Sequence, residues 1–296
     1  MKILVALVTL IFSLQAFEES AYQKKLKLTE DDLKELHLLK KTNNSAACFL
    51  GDIYRRGLKG IDKDHKKAIE AYSHAIDTDR GSIETAKILH RGGNNVPVNL
   101  IKAEELYKKI AMRSDLGKYI YGMALIEKLR DKPDYKEALK YFISGSKTSA
   151  QCSFRAGLIY QMGQAGDIDN EKAYAFHENA INLEKYPPAY YEAYWLHKFG
   201  KLKMKYDKGL TYSYCENAAL GGVRRAQIAM VSESIHLHRF KAGYFWYIYC
   251  VKKHNTPPEI IPYKSMFNGP ISAHDKKKVE DQVNKIINNR QIKDYY

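Results

Sequence analysis

A spacing of 35 residues constrains this chain more than any other feature of its sequence. Four alanines lie at that interval, each with Asp or Asn four residues before it and a ring four residues after it. The four frames, each extended to the residue seven after the alanine, are Asp64-Ala68-Tyr72-Ala75, Asn99-Ala103-Tyr107-Ile110, Asp134-Ala138-Phe142-Gly145 and Asp169-Ala173-His177-Ala180. A fixed period of this length predicts stacked structural repeats.

The residue types in each frame predict a capped helix. An Asp or Asn side chain accepts hydrogen bonds from the free N–H groups at the start of a helix. The alanine, the ring and the residue seven after the alanine then share one helical face. Small residues there let a neighbouring helix approach closely, while the ring fills the space beside it. The frame therefore indicates helix packing rather than catalysis.

A first helix precedes the capped helix in each unit. It is clearest in residues 46–57 and 156–163, where Gly51 and Gly157 mark the helix crossing. The glycine that ends each segment can adopt the positive φ needed where a helix stops. The repeating unit is therefore a helix, a glycine-bearing loop and a capped helix.

These residues resemble the Sel1-like repeat family, whose pattern runs A-x3-L-G-x2-Y-x2-G, a second Gly, then D-x2-K-A-x3-Y-x2-A. Residues 46–75 match that pattern nearly throughout. Gly51 and Ala68 are seventeen residues apart, more than the about twelve of ordinary tetratricopeptide repeats. The resemblance covers residues 45–253 and implies an all-α, right-handed superhelical solenoid of about six helix pairs, closed by capping helices.

The N-terminal segment has the form of a signal peptide. Lys2 precedes the apolar run Ile3–Leu14, and Ala16 is a small residue suited to cleavage. A helix of that run reaches about 18 Å, short of the roughly 30 Å hydrocarbon core of a bilayer. We therefore predict a signal peptide over residues 1–16 and no membrane span in the mature chain.

Two further segments flank the repeat array. Residues 17–44 are predicted to hold a capping helix that opens at Thr29-Glu30-Asp31-Asp32 and carries an apolar stripe. Residues 254–296 are predicted to be a Pro-rich linker, whose prolines break any helix, followed by an amphipathic C-terminal helix. That helix either caps the array or holds a partner. The stripes are Leu33, Leu36 and Leu39 for the first helix, and Val279, Val283, Ile286 and Ile287 for the last.

The candidate binding surface is a row on the first helices, four or five residues beyond the crossing glycine or, in the second repeat, beyond Lys87, which replaces that glycine. These outward positions are expected to line a concave surface, with the arginines contacting acidic groups on a partner. Ordinary solvated surface is the alternative interpretation. The row consists of Arg55, Arg56, Arg91, Glu127 and Gln161.

Secretion would bear on two further predictions. Asn43-Asn44-Ser45 is an acceptor sequence for N-glycosylation at Asn43. The four cysteines would enter an oxidising compartment, and Cys215 and Cys250 occupy comparable places on successive predicted helices. They are predicted either to form a disulfide or to remain buried free thiols.

Charge and motif content narrow the function. The net charge of +14 favours acidic partners, but the basic residues are mixed with acidic ones along the chain, which favours protein over nucleic acid. The sequence has no metal-ligand, phosphate-loop or nucleophile motif. We therefore expect no catalytic residue, no metal and no cofactor.

The family resemblance implies an adaptor that binds other proteins. Together with the predicted signal peptide, the resemblance implies that the protein is in the secretory pathway, either in the endoplasmic-reticulum lumen or outside the cell. A role in endoplasmic-reticulum quality control is one function that this location would allow. A secreted or surface factor in envelope or host interaction is one alternative. The other is a hydrolase like the cysteine-rich relatives linked to β-lactams, but those relatives carry paired cysteines in each repeat, a pattern this chain lacks.

Overall fold

The computed structural model describes residues 30–58, 60–127, 129 and 131–289. Within these residues all regular secondary structure is helical: fourteen α-helices and one 3₁₀ helix. The predicted signal peptide lies outside the described residues. The chain divides into two compact units, one ending at Gly145 and the other beginning at Ser146.

From residue 30 on, where its described part begins, the first unit holds three helix pairs preceded by one helix. Each pair packs internally, and each second helix also packs against the first helix of the next pair. The helices are α1 (Glu30–Leu39), α2 (Asn44–Arg56), α3 (His65–Ser73), α4 (Asp79–Arg91), α5 (Leu100–Arg113), α6 (Asp115–Ile126) and α7 (Tyr135–Gly145).

Helix α1 packs on α2 as the predicted cap of the first repeat. Its Leu36 is fully buried, and Leu33 and Leu39 pack against the same apolar cluster. The predicted apolar stripe is confirmed.

The second unit also holds three helix pairs, so the described chain has the six pairs that the repeat predicts. They are followed by a 3₁₀ helix, Pro258–Phe267, and a last α-helix. The helices are α8 (Ala150–Met162), α9 (Asn170–Glu184), α10 (Pro187–Lys198), α11 (Lys208–Leu220), α12 (Arg224–His236), α13 (Phe240–His254) and α14 (Ala273–Asn289).

The predicted N-caps are confirmed. The side chain of Asp64 accepts a hydrogen bond from the backbone N–H of Lys67 at 3.0 Å, and the other three frames repeat this bond with their own caps. Asp207 caps α11 in the same way. All four frame alanines are fully buried, as are the rings four residues later.

The crossing glycines are required by the rings that face them. A Cβ atom on Gly51 would collide with the ring of Tyr72, and one on Gly157 would lie 2.6 Å from the ring of His177. Gly57 ends α2 in the left-handed region, with φ at 67°. The sequence interpretation of both kinds of glycine is confirmed.

The expectation that the prolines after residue 254 break any helix is wrong. Pro258–Phe267 forms a 3₁₀ helix with Pro at its start and Pro262 inside it. A proline is tolerated at the first position of a helix because its missing N–H would have no partner there. Ile260 and Phe267 are buried, and the segment packs on α12 and α13. Burial of these two side chains holds it in place.

Helix α14 caps the repeats of the second unit. It packs on α13, and its Val279, Val283 and Ile286 are buried in the core of that unit. Of the two roles predicted for this stripe, capping is the one the structure shows. None of the helices in the described ranges is long and apolar enough to cross a bilayer.

Candidate interaction surfaces

Arg55, the first member of the predicted row, lies in a charged cluster inside the first unit. Its guanidinium donates to the hydroxyl of Tyr72 and to Asp52, each at 3.3 Å, and lies 3.4 Å from Glu84 on α4. Asp52 is 5% exposed, and its carboxylate also accepts from the Tyr72 hydroxyl at 2.7 Å and from Arg80 at 2.5 Å. Arg55 therefore balances a buried charge.

Burial, followed by the charge of Asp52, raises the pKa of Tyr72. Its hydroxyl therefore keeps its proton and serves as a permanent donor to Asp52. The cluster joins α2, α3 and α4, because Asp52 and Arg55 lie on α2, Tyr72 on α3, and Arg80 on α4.

Arg91 and Glu127 are brought together by the structure. They lie at the ends of α4 and α6 and pair at 2.9 Å, with side chains 66% and 44% exposed. Arg56, the last residue of α2, is also exposed. These residues of the row are open to solvent, unlike Arg55.

Gln161 connects two elements of the second unit. Its side-chain amide donates to Glu192 on α10 at 2.8 Å, and its carbonyl oxygen lies 3.0 Å from Nε2 of His177 on α9. That carbonyl can only accept, so Nε2 of His177 carries the proton. Burial lowers the pKa of His177 to about 3, so its imidazole is neutral at pH 7. Burial also raises the pKa of Glu192 above its usual value.

The predicted row thus joins successive first helices within each unit. Arg55 reaches Glu84, Arg91 reaches Glu127, and Gln161 reaches Glu192. Lys198 on α10 continues the pattern with Glu233 on α12, at 3.0 Å. The shared repeat position therefore contributes contacts between repeats, and in the first unit it leaves Arg56 and Arg91 exposed.

A cleft of about 260 Å³ lies between α1, α2 and α3. Leu50 and Ala71 form its apolar lining. Lys40 pairs with Glu70 at 2.8 Å across it, and the Tyr54 hydroxyl lies 2.8 Å from the imidazole of His37. Sequence reasoning missed this cleft, because it joins side chains from three helices. A second lysine, Lys67, also lines the cleft and pairs with Asp64 at 3.9 Å, so the lining is mostly polar and its charges are already paired.

A basic loop after α10 was also missed. Residues 199–207 read Phe-Gly-Lys-Leu-Lys-Met-Lys-Tyr-Asp. Lys201, Lys203 and Lys205 are exposed, as are Phe199 and Met204. The alternation of lysine with large apolar residues was the signal that could have identified it.

Asn43 and the cysteines have structural surroundings that bear on their predicted modification. The side chain of Asn43 caps α2 by accepting from the N–H groups of Ser45 and Ala46 at 2.9 and 3.1 Å.

All four cysteines are buried free thiols, so the disulfide between Cys215 and Cys250 is not present in the structure. Burial raises the pKa of Cys250 to about 12. In the described ranges no three His, Cys, Asp or Glu side chains are grouped so as to hold a metal ion.

Comparison with known proteins identifies the repeat. The sequence model of the Sel1 repeat matches residues 44–70, 83–115, 114–147 and 150–184. These segments include α2, α8 and α9 in full. No curated protein matches the chain.

Among the solved structures similar to this chain, two share this fold over most of its length. One is a protective antigen of uropathogenic Escherichia coli that displays an SLR fold, with a TM-score of 0.57 and 20% identity over 73% of this chain. This chain spans about half, 48%, of that antigen. The other is a Sel1 repeat protein from Oxalobacter formigenes, with a TM-score of 0.54 and 16% identity, covering 86% of this chain and 99% of that one.

Proposed function

The chain is a Sel1-like repeat protein, and from this premise we propose that it is a non-catalytic scaffold that binds a partner protein through acidic groups on that partner. Sel1 repeats generally mediate protein interactions. The net charge of +14 adds the expectation that the partner is acidic, because opposite charge steers and orients association.

The exposure of Arg91 and Arg56 on the first helices of unit one is the observation that carries this proposal. The Arg91–Glu127 pair is exposed on both sides, and such pairs contribute about 1 kcal/mol or less. A partner carboxylate can therefore replace Glu127 at little cost. Arg55 has the supporting role of balancing Asp52, since its charge is paired within the fold.

A charge reversal at the two exposed arginines tests the proposal. We expect Arg56→Glu with Arg91→Glu to lose the proteins that the immobilised full chain retains from a secretory fraction of its native cells, as identified by mass spectrometry. Lys66→Glu with Lys109→Glu is the matched control, because both lysines are exposed on second helices of the same unit. Equal retention by the two double variants would contradict the proposal.

The absence of catalysis is part of the same proposal. Sel1 repeat proteins are generally non-catalytic, and burial raises the pKa of Cys48, Cys215 and Cys250. A buried thiol with a raised pKa supplies little thiolate at neutral pH. We expect no turnover of β-lactam, ester or peptide substrates by the purified chain. Turnover that survives further purification would overturn the proposal that the chain is non-catalytic.

We also propose that the scaffold acts in the secretory pathway, in the lumen of the endoplasmic reticulum or after export. The support is the leader-like sequence of residues 1–16. Protein recovered from its native cells should begin near Phe17 and lose mass on enzymatic deglycosylation if the cell is eukaryotic. Recovery of intact Met1 from a membrane fraction would contradict cleavage of the leader.

A further inference from the structure

The loop after α10 presents cationic and apolar side chains together. Within eight residues, Phe199, Met204 and Tyr206 are 58%, 47% and 44% exposed. Lys201 and Lys203 are exposed between them, as is Lys205. Apolar side chains of this size are seldom left in water together at one loop unless they contact something.

Two acidic residues beside this loop accept hydrogen bonds from backbone N–H groups. Glu171 on α9 accepts from the backbone N–H of Lys203 at 2.7 Å, which ties the loop to the helix. Asp207 accepts from the N–H of Leu210 as the cap of α11. None of the ammonium groups of Lys201, Lys203 and Lys205 forms an ion pair with a described residue. The loop therefore carries three ammonium groups that form no ion pair with a described residue, beside the two carboxylates of Glu171 and Asp207, which keep their charge.

Aromatic side chains extend the apolar part of the loop onto α10. The ring of Phe199 lies 5.2 Å from that of Trp195, which is half-buried. Aromatic side chains with one polar edge, together with lysines whose stems are apolar, suit the boundary between lipid and water.

We propose that the loop of residues 199–206 binds the surface of an anionic lipid bilayer. The lysines contact headgroup phosphates, and Phe199, Met204 and Tyr206 enter the interface between headgroups and acyl chains. A bilayer fits better than an acidic protein because Phe199, Met204 and Tyr206 are 58%, 47% and 44% exposed on the same loop as three exposed lysines, so that apolar and cationic side chains reach the solvent together. A lipid interface accepts projecting side chains without a preformed groove.

Vesicle sedimentation of the full mature chain tests this inference. The vesicles are phosphatidylcholine alone, or phosphatidylcholine with phosphatidylserine at about 3:1, at about 0.1 M salt. We expect binding to the anionic vesicles only. Lys201→Glu with Lys203→Glu and Lys205→Glu should weaken that binding at least about tenfold.

The matched control reverses three exposed lysines elsewhere: Lys66, Lys109 and Lys136, one on each second helix of the first unit. This control has the same net charge as the loop variant and should keep most of the binding. Equal binding by the two triple variants would overturn the assignment to the loop. Binding of the wild-type chain to a polyglutamate peptide but not to anionic vesicles would overturn the choice of lipid.

Tryptophan fluorescence gives an independent measurement. The chain has two tryptophans; Trp246 is fully buried, so a change on vesicle binding reports Trp195. We expect its emission to shift to the blue with anionic vesicles, and Trp195→Phe to lose the shift while still sedimenting. Phe199→Ser with Met204→Ser should weaken sedimentation severalfold with the charge unchanged. No blue shift, or full binding by that double variant, would show that apolar insertion does not occur.

Discussion

The first and fourth repeats share the packing of a ring against a glycine, but the polar partner of the ring differs between them. In the first, Tyr72 packs on Gly51 and donates to the buried carboxylate of Asp52. In the fourth, His177 packs on Gly157 and bonds to the neutral amide of Gln161. The ring of the first repeat bonds to a charged group, whereas the ring of the fourth is kept neutral by burial and bonds to an amide.

The comparison separates two requirements of the repeat. Close packing requires a flat ring opposite the glycine, and both Tyr and His satisfy that requirement. The polar partner of the ring is a separate choice, since any group that satisfies the buried donor serves. The contacts of the Tyr72 ring therefore depend on charge balance, while those of the His177 ring should respond to pH.

Removing Asp52 should have the largest effect on this comparison. Asp52→Ala leaves Arg55, Arg80 and Tyr72 without their shared acceptor, so we expect a loss of about 3 kcal/mol in the free energy of unfolding, measured by urea denaturation. Leu158→Ala changes the same position in the fourth repeat, where the side chain is half-buried, and should cost about 1 kcal/mol. Equal losses would refute the charged cluster.

Adding one methyl group tests the shape that both repeats share. Gly51→Ala and Gly157→Ala would each place a Cβ against a buried ring, and each should cost about 1 to 3 kcal/mol in thermal or urea unfolding. Gly166→Ala is the control, because its Cβ would meet nothing within 4 Å. If the first two variants are as stable as the control, the helix crossings are misplaced.

The pH response should distinguish the two repeats. Burial lowers the pKa of His177 to about 3, whereas His in the unfolded chain titrates near 6.5. Between these values the unfolded chain binds more protons, so the contribution of His177 to stability falls by about 2 kcal/mol from pH 7 to pH 5.

His177→Phe should remove that share of the pH dependence, as measured by urea denaturation at the two pH values. Tyr72→Phe is the matched variant in the first repeat. It should lower stability by a similar amount at both pH values, because Tyr72 keeps its proton throughout. A wild-type pH dependence retained by His177→Phe would place the response at other histidines.

The smallest effect should come from the exposed pair on the first unit. A double-mutant cycle with Arg91→Ala and Glu127→Ala should give a coupling of about 0.2 to 1 kcal/mol that falls as salt is added. A coupling well above that range, or one insensitive to salt, would mean that the fold holds Arg91 as firmly as it holds Arg55.

The repeat frames could be predicted from sequence because their determinants are local. An Asp bonds to an N–H three residues on, and a ring and a small residue on one helix share a face at fixed spacing. The six helix pairs and the apolar stripe of α14 follow from such patterns, whereas the capping role of that stripe is one of two that the sequence leaves open. The same reasoning put Arg55 and Arg91 at equivalent outward positions.

Tertiary structure alone decided what those equivalent positions do. Arg55 pairs with Asp52 inside the fold. Arg80 and Tyr72, which are 28 and 20 residues from Asp52 in the sequence, contact the same carboxylate. The 3₁₀ helix after α13 forms because Ile260 and Phe267 find a buried surface, which no local pattern specifies. Sequence determined the helices and their packing faces through short-range bonds, whereas the partners of buried charges depended on contacts between repeats.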